Sequence, residues 1–278
     1  MYFEEPEGFY TDDFMAYVMG IDELPKMLFQ YTSIDSLEKI LSSKTLRFSR
    51  LDRVNDPEEA MASDVPLAAT SVFVSCWSST EEEQIPMWSM YGDSFSGVRI
   101  RLPADMFSGR NKSRVYEKGG ALTWFDGDYS IMRKFPAMGV SGCAIIGPNK
   151  VYYTDDASYH TRRLVYRSDG MANFYPYDLG MAKKKCWEYE QEWRFKIATH
   201  SFESQVPDDI YFNEVTIDFE KYPVITEDLF IPLDESAFDE MEITIGPKAN
   251  REMILRIERI IAQYAPKSFV VPSVLRIR

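Results

Sequence analysis

Hydrophobic and polar residues alternate along several short stretches of the chain, a period-two pattern that is typical of β-strands. A continuous apolar run predicts instead a strand that is buried on both faces of a sheet. Residues 71–77 form such a run, and further strands are predicted at 27–31, 45–49, 97–102 and 242–246.

Three other regions have a helical pattern. Asp35 followed by Glu38 is a helix-start signal, and the apolar residues after it repeat at helical spacing. Asn250 is placed to cap a second helix over 250–264, and residues 159–185 are also predicted to be mostly helical. The combination predicts an α+β fold with mixed, mainly antiparallel sheets and flanking helices.

No repeat, low-complexity run or clear linker divides the chain, and 278 residues can bury a sizeable core. We therefore predict a single α+β domain over residues 27–278, with an insertion at 103–150. Residues 1–26 are acidic and are predicted to form an arm or helix at the N-terminus.

The most regular alternation in the chain begins at Trp187. One face of the predicted strand carries aromatic and apolar residues, and the other carries charged residues: Glu188, Glu190, Glu192, Arg194 and Lys196. Two carboxylates on one face of a strand that are two residues apart in the sequence are separated by about 6.6 Å. Two such carboxylates are what the cleavage of a glycosidic bond requires. A solvated face with cross-strand ion pairs is the structural alternative.

The net charge, the cysteines and the lack of long apolar runs argue against several classes of function. The formal net charge of −13 disfavours a general nucleic-acid or anionic-membrane binder, because both need a cationic surface. Cys76, Cys143 and Cys186 lack metal-like spacing, and with two histidines in the chain no metal site is expected. The acidic start is not a signal peptide, and no apolar run is long enough for a membrane span, so a cytoplasmic protein is predicted.

Several landmarks recur in a fixed order along residues 27–262, and this order resembles the bacterial domain-of-unknown-function family 2971. Glu58 departs from the pattern, because an aromatic residue is expected there. The landmarks are Tyr31-Thr32, Thr45-Leu46-Arg47-Phe48-Ser49, Asn55-Asp56-Pro57, Ser75-Cys76-Trp77, Met87-Trp88-Ser89 with Tyr91, Gly97-Val98, Trp187 to Arg194, and Ile245-Gly246-Pro247.

More distantly, the chain resembles ADP-ribosyltransferase-type folds, which carry an aromatic-Thr first strand, a Ser or Tyr motif on a middle strand and a late Glu-x-Glu motif. The resemblance implies that Glu192 stabilises the reacting ribose and that Glu190 orients the acceptor. It also implies cofactor-binding residues, namely Tyr31, Thr32, Arg47, Arg50, Trp88 and Tyr91, and further pocket residues, namely Asn55, Asp56 and Arg194. Tyr31 departs from the His or Arg expected at the first-strand position.

These observations leave three functions open. The first is an ADP-ribosyltransferase-like enzyme that uses NAD as substrate, as a bacterial toxin or phage-defence effector, with an unknown macromolecular acceptor. The second is a catalytically silent module that senses a nucleotide or binds a protein partner. The third is a metal-independent RNA nuclease or phosphotransferase. For Trp88 and Tyr91, core packing is the structural alternative, and for Asn55-Asp56-Pro57 it is a simple turn.

Overall fold

The computed structural model describes residues 17–18, 24–107, 115–117, 120–123, 133–135, 140–142, 145–168, 171–201 and 218–278. The strands within this part of the chain are β1 Met27–Thr32, β2 Thr45–Arg50, β3 Met61–Ala62, β4 Val72–Ser78, β5 Val98–Pro103, β6 Val115–Glu117, β7 Gly120–Thr123, β8 Arg133–Phe135, β9 Val140–Gly142, β10 Ile145–Lys150, β11 Tyr152–Tyr153, β12 Thr161–Arg162, β13 Val165–Ser168, β14 Met171–Phe174, β15 Ala182–Lys183, β16 Glu192–Ser201, β17 Asp228–Pro232, β18 Glu242–Ile245 and β19 Phe269–Pro272.

Helices with defined bounds are few in the part of the chain that the structure describes. The α-helices are α1 Ile34–Ser43, α2 Ile85–Met90 and α3 Arg251–Tyr264. Short 3₁₀ helices lie at Leu51–Arg53, Pro57–Ala60, Ala68–Ser71, Ala157–Tyr159, Pro176–Asp178, Lys185–Glu190 and Glu235–Phe238. Side-chain caps begin the two longer helices, because Ser33 Oγ accepts from Ser36 N and Asn250 Oδ1 accepts from Met253 N.

One large sheet organises the fold. Its main path runs β19-β18-β5-β1-β4-β16-β10-β7-β6, with β2, β17, β8 and β9 joined beside that path. Within this sheet the pairs are antiparallel except for β18 with β19, whereas two short pairs outside it, β11 with β15 and β12 with β3, are parallel. The predicted α+β class with mainly antiparallel pairing is therefore confirmed.

The sheet forks at one edge of β4. Phe29 of β1 lies opposite Ser78, whereas Ser49 of β2 lies opposite Val74. Residues 75–77 therefore have no strand partner on that edge among the described residues. Helix α1 connects the two diverging strands, and it lines the gap between them with Ser36, Lys39, Ile40 and Ser43.

A continuous hydrophobic core packs beneath this sheet. Strand β4 is buried along nearly its whole length, as the apolar run predicted, and β16 contributes Trp193, Phe195 and Ile197. Helix α3 packs its buried Ile257, Ile260 and Ile261 against the same core. Burial on this scale removes apolar surface from water and holds the strands around the fork in place.

The helix predicted over 159–185 is wrong, because this segment forms short strands and 3₁₀ turns. The acidic arm at 1–26 lies largely outside the described residues, as does much of the insertion at 103–150. The division into arm and single domain therefore stays a prediction.

Candidate functional site

A cleft of about 630 Å³ occupies the fork between β1 and β2. It is lined by β4 and α1 and, at its most buried part, which we call the inner end, by Lys183, Glu190, Glu192 and Arg194. The cleft brings together eight of the residues singled out from the sequence: Tyr31, Thr32, Arg47, Asn55, Tyr91, Glu190, Glu192 and Arg194. Its volume lies in the range of about 300–1,000 Å³ that is usual for small-molecule sites.

The two candidate carboxylates reach this cleft from different elements. The strand predicted from Trp187 begins only at Glu192, because residues 185–190 form a 3₁₀ helix. Gln191 adopts a left-handed conformation, with φ 45° and ψ 52°, and so turns the chain from helix to strand. Glu190 and Glu192 nevertheless converge, and each residue is 4% exposed.

Arg194 holds Glu192 in a two-point contact. Its Nε lies 2.5 Å from Glu192 Oε1, and its Nη2 donates to Oε2 at 2.8 Å. The remaining nitrogen, Nη1, lies 2.5 Å from Glu59 Oε2 and donates to the backbone oxygen of Gly180 at 3.0 Å. This fork-to-fork geometry is characteristic of strong arginine–carboxylate pairs.

Lys183 joins the two carboxylates at the inner end of the cleft. Its Nζ donates to Glu190 Oε2 at 2.6 Å and to Glu192 Oε2 at 3.1 Å. The same ammonium lies 4.8 Å from the centre of the Trp187 ring, a cation–π distance. The structural alternative predicted a solvated face with ion pairs. The ion pairs are present, but Glu190, Glu192, Arg194 and Lys196 are each at most 4% exposed, so the face is not solvated beyond Glu188.

A hydrogen-bonded pair leads from Glu190 to the mouth of the cleft. The Tyr91 hydroxyl donates to Glu190 Oε1 at 2.6 Å and accepts from Asn55 Nδ2 at 2.8 Å. Asn55 is exposed, whereas Tyr91 is half-buried. Five charged side chains and this pair thus form one chain of contacts, which we call the buried charge chain: Glu59, Arg194, Glu192, Lys183, Glu190, Tyr91 and Asn55.

The two carboxylates differ in their affinity for protons. Burial alone would raise the pKa of Glu192, but Arg194 and Lys183 outweigh it and hold this pKa well below the usual glutamate range. Burial raises the pKa of Glu190 above its usual value, and the charge of Glu192 adds to this effect. Glu192 is therefore a fixed anion, whereas Glu190 can gain a proton.

The neighbouring hydroxyl and ammonium stay protonated. Burial, together with the charge of Glu190, raises the pKa of Tyr91, so its hydroxyl remains a donor. Burial alone would lower the pKa of Lys183, but Glu192 and Glu59 raise it. Each carboxylate at the inner end of the cleft therefore keeps a charged partner over the physiological pH range.

The outer part of the cleft is lined by cations on α1 and the strand and turn that follow it. Lys39 and Arg47 are exposed, and Arg53 pairs with Glu227. Arg47 Nε lies 3.7 Å from Asp228 Oδ1, and its side chain is 64% exposed. Because exposed pairs of this kind are weak, Arg47 and Arg53 can exchange their present partners for an anionic ligand.

Three residues singled out from the sequence do not line the cleft. Trp88 is fully buried against Tyr31, with the ring centroids 4.9 Å apart, and its Nε1 donates to Glu83 at 2.8 Å. Arg50 is held by Asp52 and by the backbone oxygen of Val224. Asp56 caps the turn after it by accepting from Glu58 N.

Sequence reasoning missed Lys183, Glu59 and Tyr153. Tyr153 accepts a hydrogen bond from Glu192 N at 2.9 Å, and it pairs with Lys183 across β11 and β15. Lys183 begins a run of three lysines, a pattern typical of a solvated surface, so nothing local marked it as buried. The closeness of Lys183 to the glutamates in sequence was the one available signal.

Within the described ranges, no group of three or more His, Cys, Asp or Glu side chains is placed to hold a metal ion. In the same part of the chain, no helix has the length and apolar character needed to cross a membrane.

Comparison with known proteins gives one family match. No curated protein and no solved structure matches the chain, so its resemblance to ADP-ribosyltransferase-type folds stays a prediction. Residues 87–195 match the family described as protein of unknown function (DUF2971). The matched segment includes Tyr91, Lys183, Glu190, Glu192 and Arg194, so this part of the chain is similar to the DUF2971 family.

Proposed function

We propose that this protein is an ADP-ribosyltransferase-like enzyme that cleaves the nicotinamide glycosidic bond of NAD. The observation that carries the proposal is that two carboxylates close one end of a cleft whose walls hold aromatic and cationic side chains. A silent interaction surface would not require buried carboxylates at the end of a ligand-sized cleft.

In the proposed reaction, the bond between ribose C1′ and the nicotinamide nitrogen breaks, and its electron pair leaves with neutral nicotinamide. The ribose then carries the positive charge of an oxocarbenium-like state. A carboxylate held nearby in a water-poor site stabilises this charge. An acceptor hydroxyl, amine or water adds to C1′ and releases a proton to a base.

The cleft offers groups for the rest of the dinucleotide. Tyr31 and Thr32 line the wall on β1, within reach of ribose hydroxyls, and Tyr91 presents an aromatic ring. Arg47 lies at the outer end, where a guanidinium suits a pyrophosphate. In this proposal Arg50, which is bound to Asp52, takes no part.

A nucleotide-sensing module without catalysis is the second candidate. It is favoured by one specific observation, which is that all four oxygens of Glu190 and Glu192 already have partners. A sensor needs only a shaped and charged cleft, whereas an enzyme must release one of these contacts to the substrate.

The test is to incubate the purified protein with NAD and to quantify nicotinamide by mass spectrometry. Glu188→Gln is the matched control, because Glu188 is an exposed glutamate two residues before Glu190. We expect Glu190→Gln and Glu192→Gln to lower the rate at least about 100-fold, and Glu188→Gln to leave it unchanged. NAD binding without nicotinamide release would favour the sensor, and neither binding nor release would exclude both functions.

A further inference from the structure

We infer that Glu190 is the carboxylate that contacts the substrate and that Lys183 is the residue that positions it, which leaves Glu192 a supporting role. This inference rests on the proposed function and reverses the roles that the Glu-x-Glu resemblance implies. It follows from the number and kind of contacts that each carboxylate makes.

Glu192 has little capacity left for a ligand. Its two oxygens accept three charged hydrogen bonds, two from Arg194 and one from Lys183. Breaking the contact with Arg194 would leave a guanidinium without full compensation, and Arg194 is 1% exposed. A substrate hydroxyl cannot replace such a charge-assisted pair without a large loss of stability.

Glu190 has one contact that a ligand can replace. Its Oε2 is fixed by Lys183, but among the described residues its Oε1 accepts only from the Tyr91 hydroxyl. The Tyr91 hydroxyl is neutral, lies on the side of the exposed Asn55, and can rotate towards a ligand oxygen. A substrate hydroxyl that enters along this side therefore takes the place of Tyr91 at Oε1.

Lys183 gives Glu190 both its orientation and its charge. The short contact of 2.6 Å fixes one oxygen, so the other points towards Tyr91 and the mouth of the cleft. Glu192, Tyr91, Tyr189 and Tyr153 are the other titratable groups around this carboxyl, and Lys183 is the cation that lowers its pKa. Two carboxylates whose surroundings separate their pKa values divide the acid–base and the supporting roles in this way.

The experiment is a carboxyl titration by NMR of the full chain labelled with ¹³C at the glutamate side-chain carboxyl. The Glu190 signal is assigned from Glu190→Gln. We expect Glu190 to titrate above the usual range for glutamate and Glu192 to stay ionised to the lowest pH at which the protein is folded. We expect NAD to shift the Glu190 signal much more than the Glu192 signal. A larger shift of the Glu192 signal would overturn the inference.

Variants of Lys183 test its role as a positioning residue. Lys183→Met removes the cation and should raise the pKa of Glu190. The rate of nicotinamide release falls on the acid side of its pH profile, and this acid limb should therefore move to higher pH. Lys183→Arg keeps the charge and should keep the limb near its wild-type position. If Lys183→Met does not fold, Lys183→Gln replaces it as the neutral variant, because glutamine keeps hydrogen-bond donors. An acid limb at the wild-type position in a folded neutral variant would overturn the positioning role.

The titration also separates failure of this inference from failure of the proposed function. A pKa of Glu190 that rises further when Lys183 is replaced by a neutral residue, without any response to NAD, would support the positioning role and contradict the NAD reaction. An unperturbed Glu190 in a protein that releases nicotinamide would overturn the inference and leave the reaction standing.

Discussion

Charged side chains that leave water need partners, because the hydration they lose is worth several kcal/mol for each ion. In this protein Glu59, Glu190, Glu192, Lys183 and Arg194 are each at most 4% exposed, and each carboxylate contacts at least one of the two cations. The buried charge chain is by itself poor evidence that these ion pairs stabilise the protein. Its position at the end of a cleft is what makes a functional role the better explanation.

Replacement of Arg194 tests how much the ion pairs of the buried charge chain contribute to the free energy of unfolding. Arg194→Met leaves Glu59 and Glu192 facing each other without the guanidinium, and we expect it to lower the free energy of unfolding by about 3–5 kcal/mol. Urea denaturation followed by circular dichroism measures this. Lys44→Met, which breaks an exposed pair with Glu235, is the control and should change little. Equal stability of the two variants would contradict the account.

Cys76 lies beside Glu192 in the cleft, and its thiol is expected to be unreactive. Burial raises its pKa well above the usual value, and the charge of Glu192 adds to this effect, so almost no thiolate forms near neutral pH. Iodoacetamide at pH 8 should therefore label Cys186, which is exposed, much faster than Cys76. Peptide mapping by mass spectrometry measures the two rates separately. Faster labelling at Cys76 than at Cys186 would contradict the raised pKa and would identify Cys76 as a nucleophile.

The fork is the element that creates the cleft, and it depends on where β1 and β2 leave β4. The turn after α2 supports β1 at this point, because Gly97 packs against the backbone of Thr32. A Cβ atom at Gly97 would lie 2.2 Å from the Thr32 oxygen and 2.9 Å from the Gly92 oxygen. Glycine is needed there for close approach of two backbones.

Gly97→Ala should therefore disturb both stability and the cleft. We expect a loss of about 1–3 kcal/mol in the free energy of unfolding, since the neighbouring backbone must shift to admit a methyl group. Thermal unfolding measures the change, and Ser96→Ala, one residue earlier in the same turn, is the control. An unchanged unfolding temperature in Gly97→Ala would show that the turn relaxes freely and does not fix β1.

Much of the fold follows from local pattern in the sequence. Strands β1, β2, β4, β5 and β18 and helix α3 lie close to their predicted positions, because period and capping are local properties. The segment 159–185 could not be predicted in the same way. Its strands are as short as two residues and pair with distant segments, as β12 does with β3, so tertiary contacts decide its structure.

The candidate site was only partly accessible from the sequence. The alternation from Trp187 identified Glu190 and Glu192, but it placed them on one strand, since the left-handed turn at Gln191 has no glycine to mark it. The partners of these glutamates come from elsewhere in the chain, Glu59 from a 3₁₀ turn and Lys183 from a two-residue strand. Burial of both faces of β16 therefore could not be inferred from its own residues.

At the scale of the whole molecule, the net charge of −13 contrasts with the cations at the mouth of the cleft. The acidic balance repels polyanions in general, whereas a small anionic ligand can still be held locally by Lys39 and Arg47. This combination fits a nucleotide better than a long nucleic acid, and it argues against the RNA nuclease considered from the sequence.

The free energy of unfolding should vary with pH because Lys196 is buried. Burial lowers its pKa to about 7, and the nearby Arg194 adds to this effect, although Asp178 and Glu59 oppose it. An unfolded lysine has a pKa of about 10.4. Between these two values the unfolded state binds more protons, so stability increases with pH by up to about 1.4 kcal/mol per unit.

Lys196→Met removes this contribution, because methionine does not titrate. We expect the unfolding free energy of the wild type to rise relative to that of Lys196→Met between pH 7 and pH 9. Urea denaturation at several pH values measures the difference. Parallel stability curves for the two proteins would contradict the lowered pKa.

The most direct test of the account is whether NAD binds in the fork, measured by isothermal titration calorimetry. Ser36→Trp places a large side chain on α1 where it lines the cleft, and Ser42→Trp makes the same change on an exposed position of α1 outside it. We predict that the wild type and Ser42→Trp bind NAD alike and that Ser36→Trp loses binding. Absence of binding by the wild type, or equal binding by Ser36→Trp, would contradict the account.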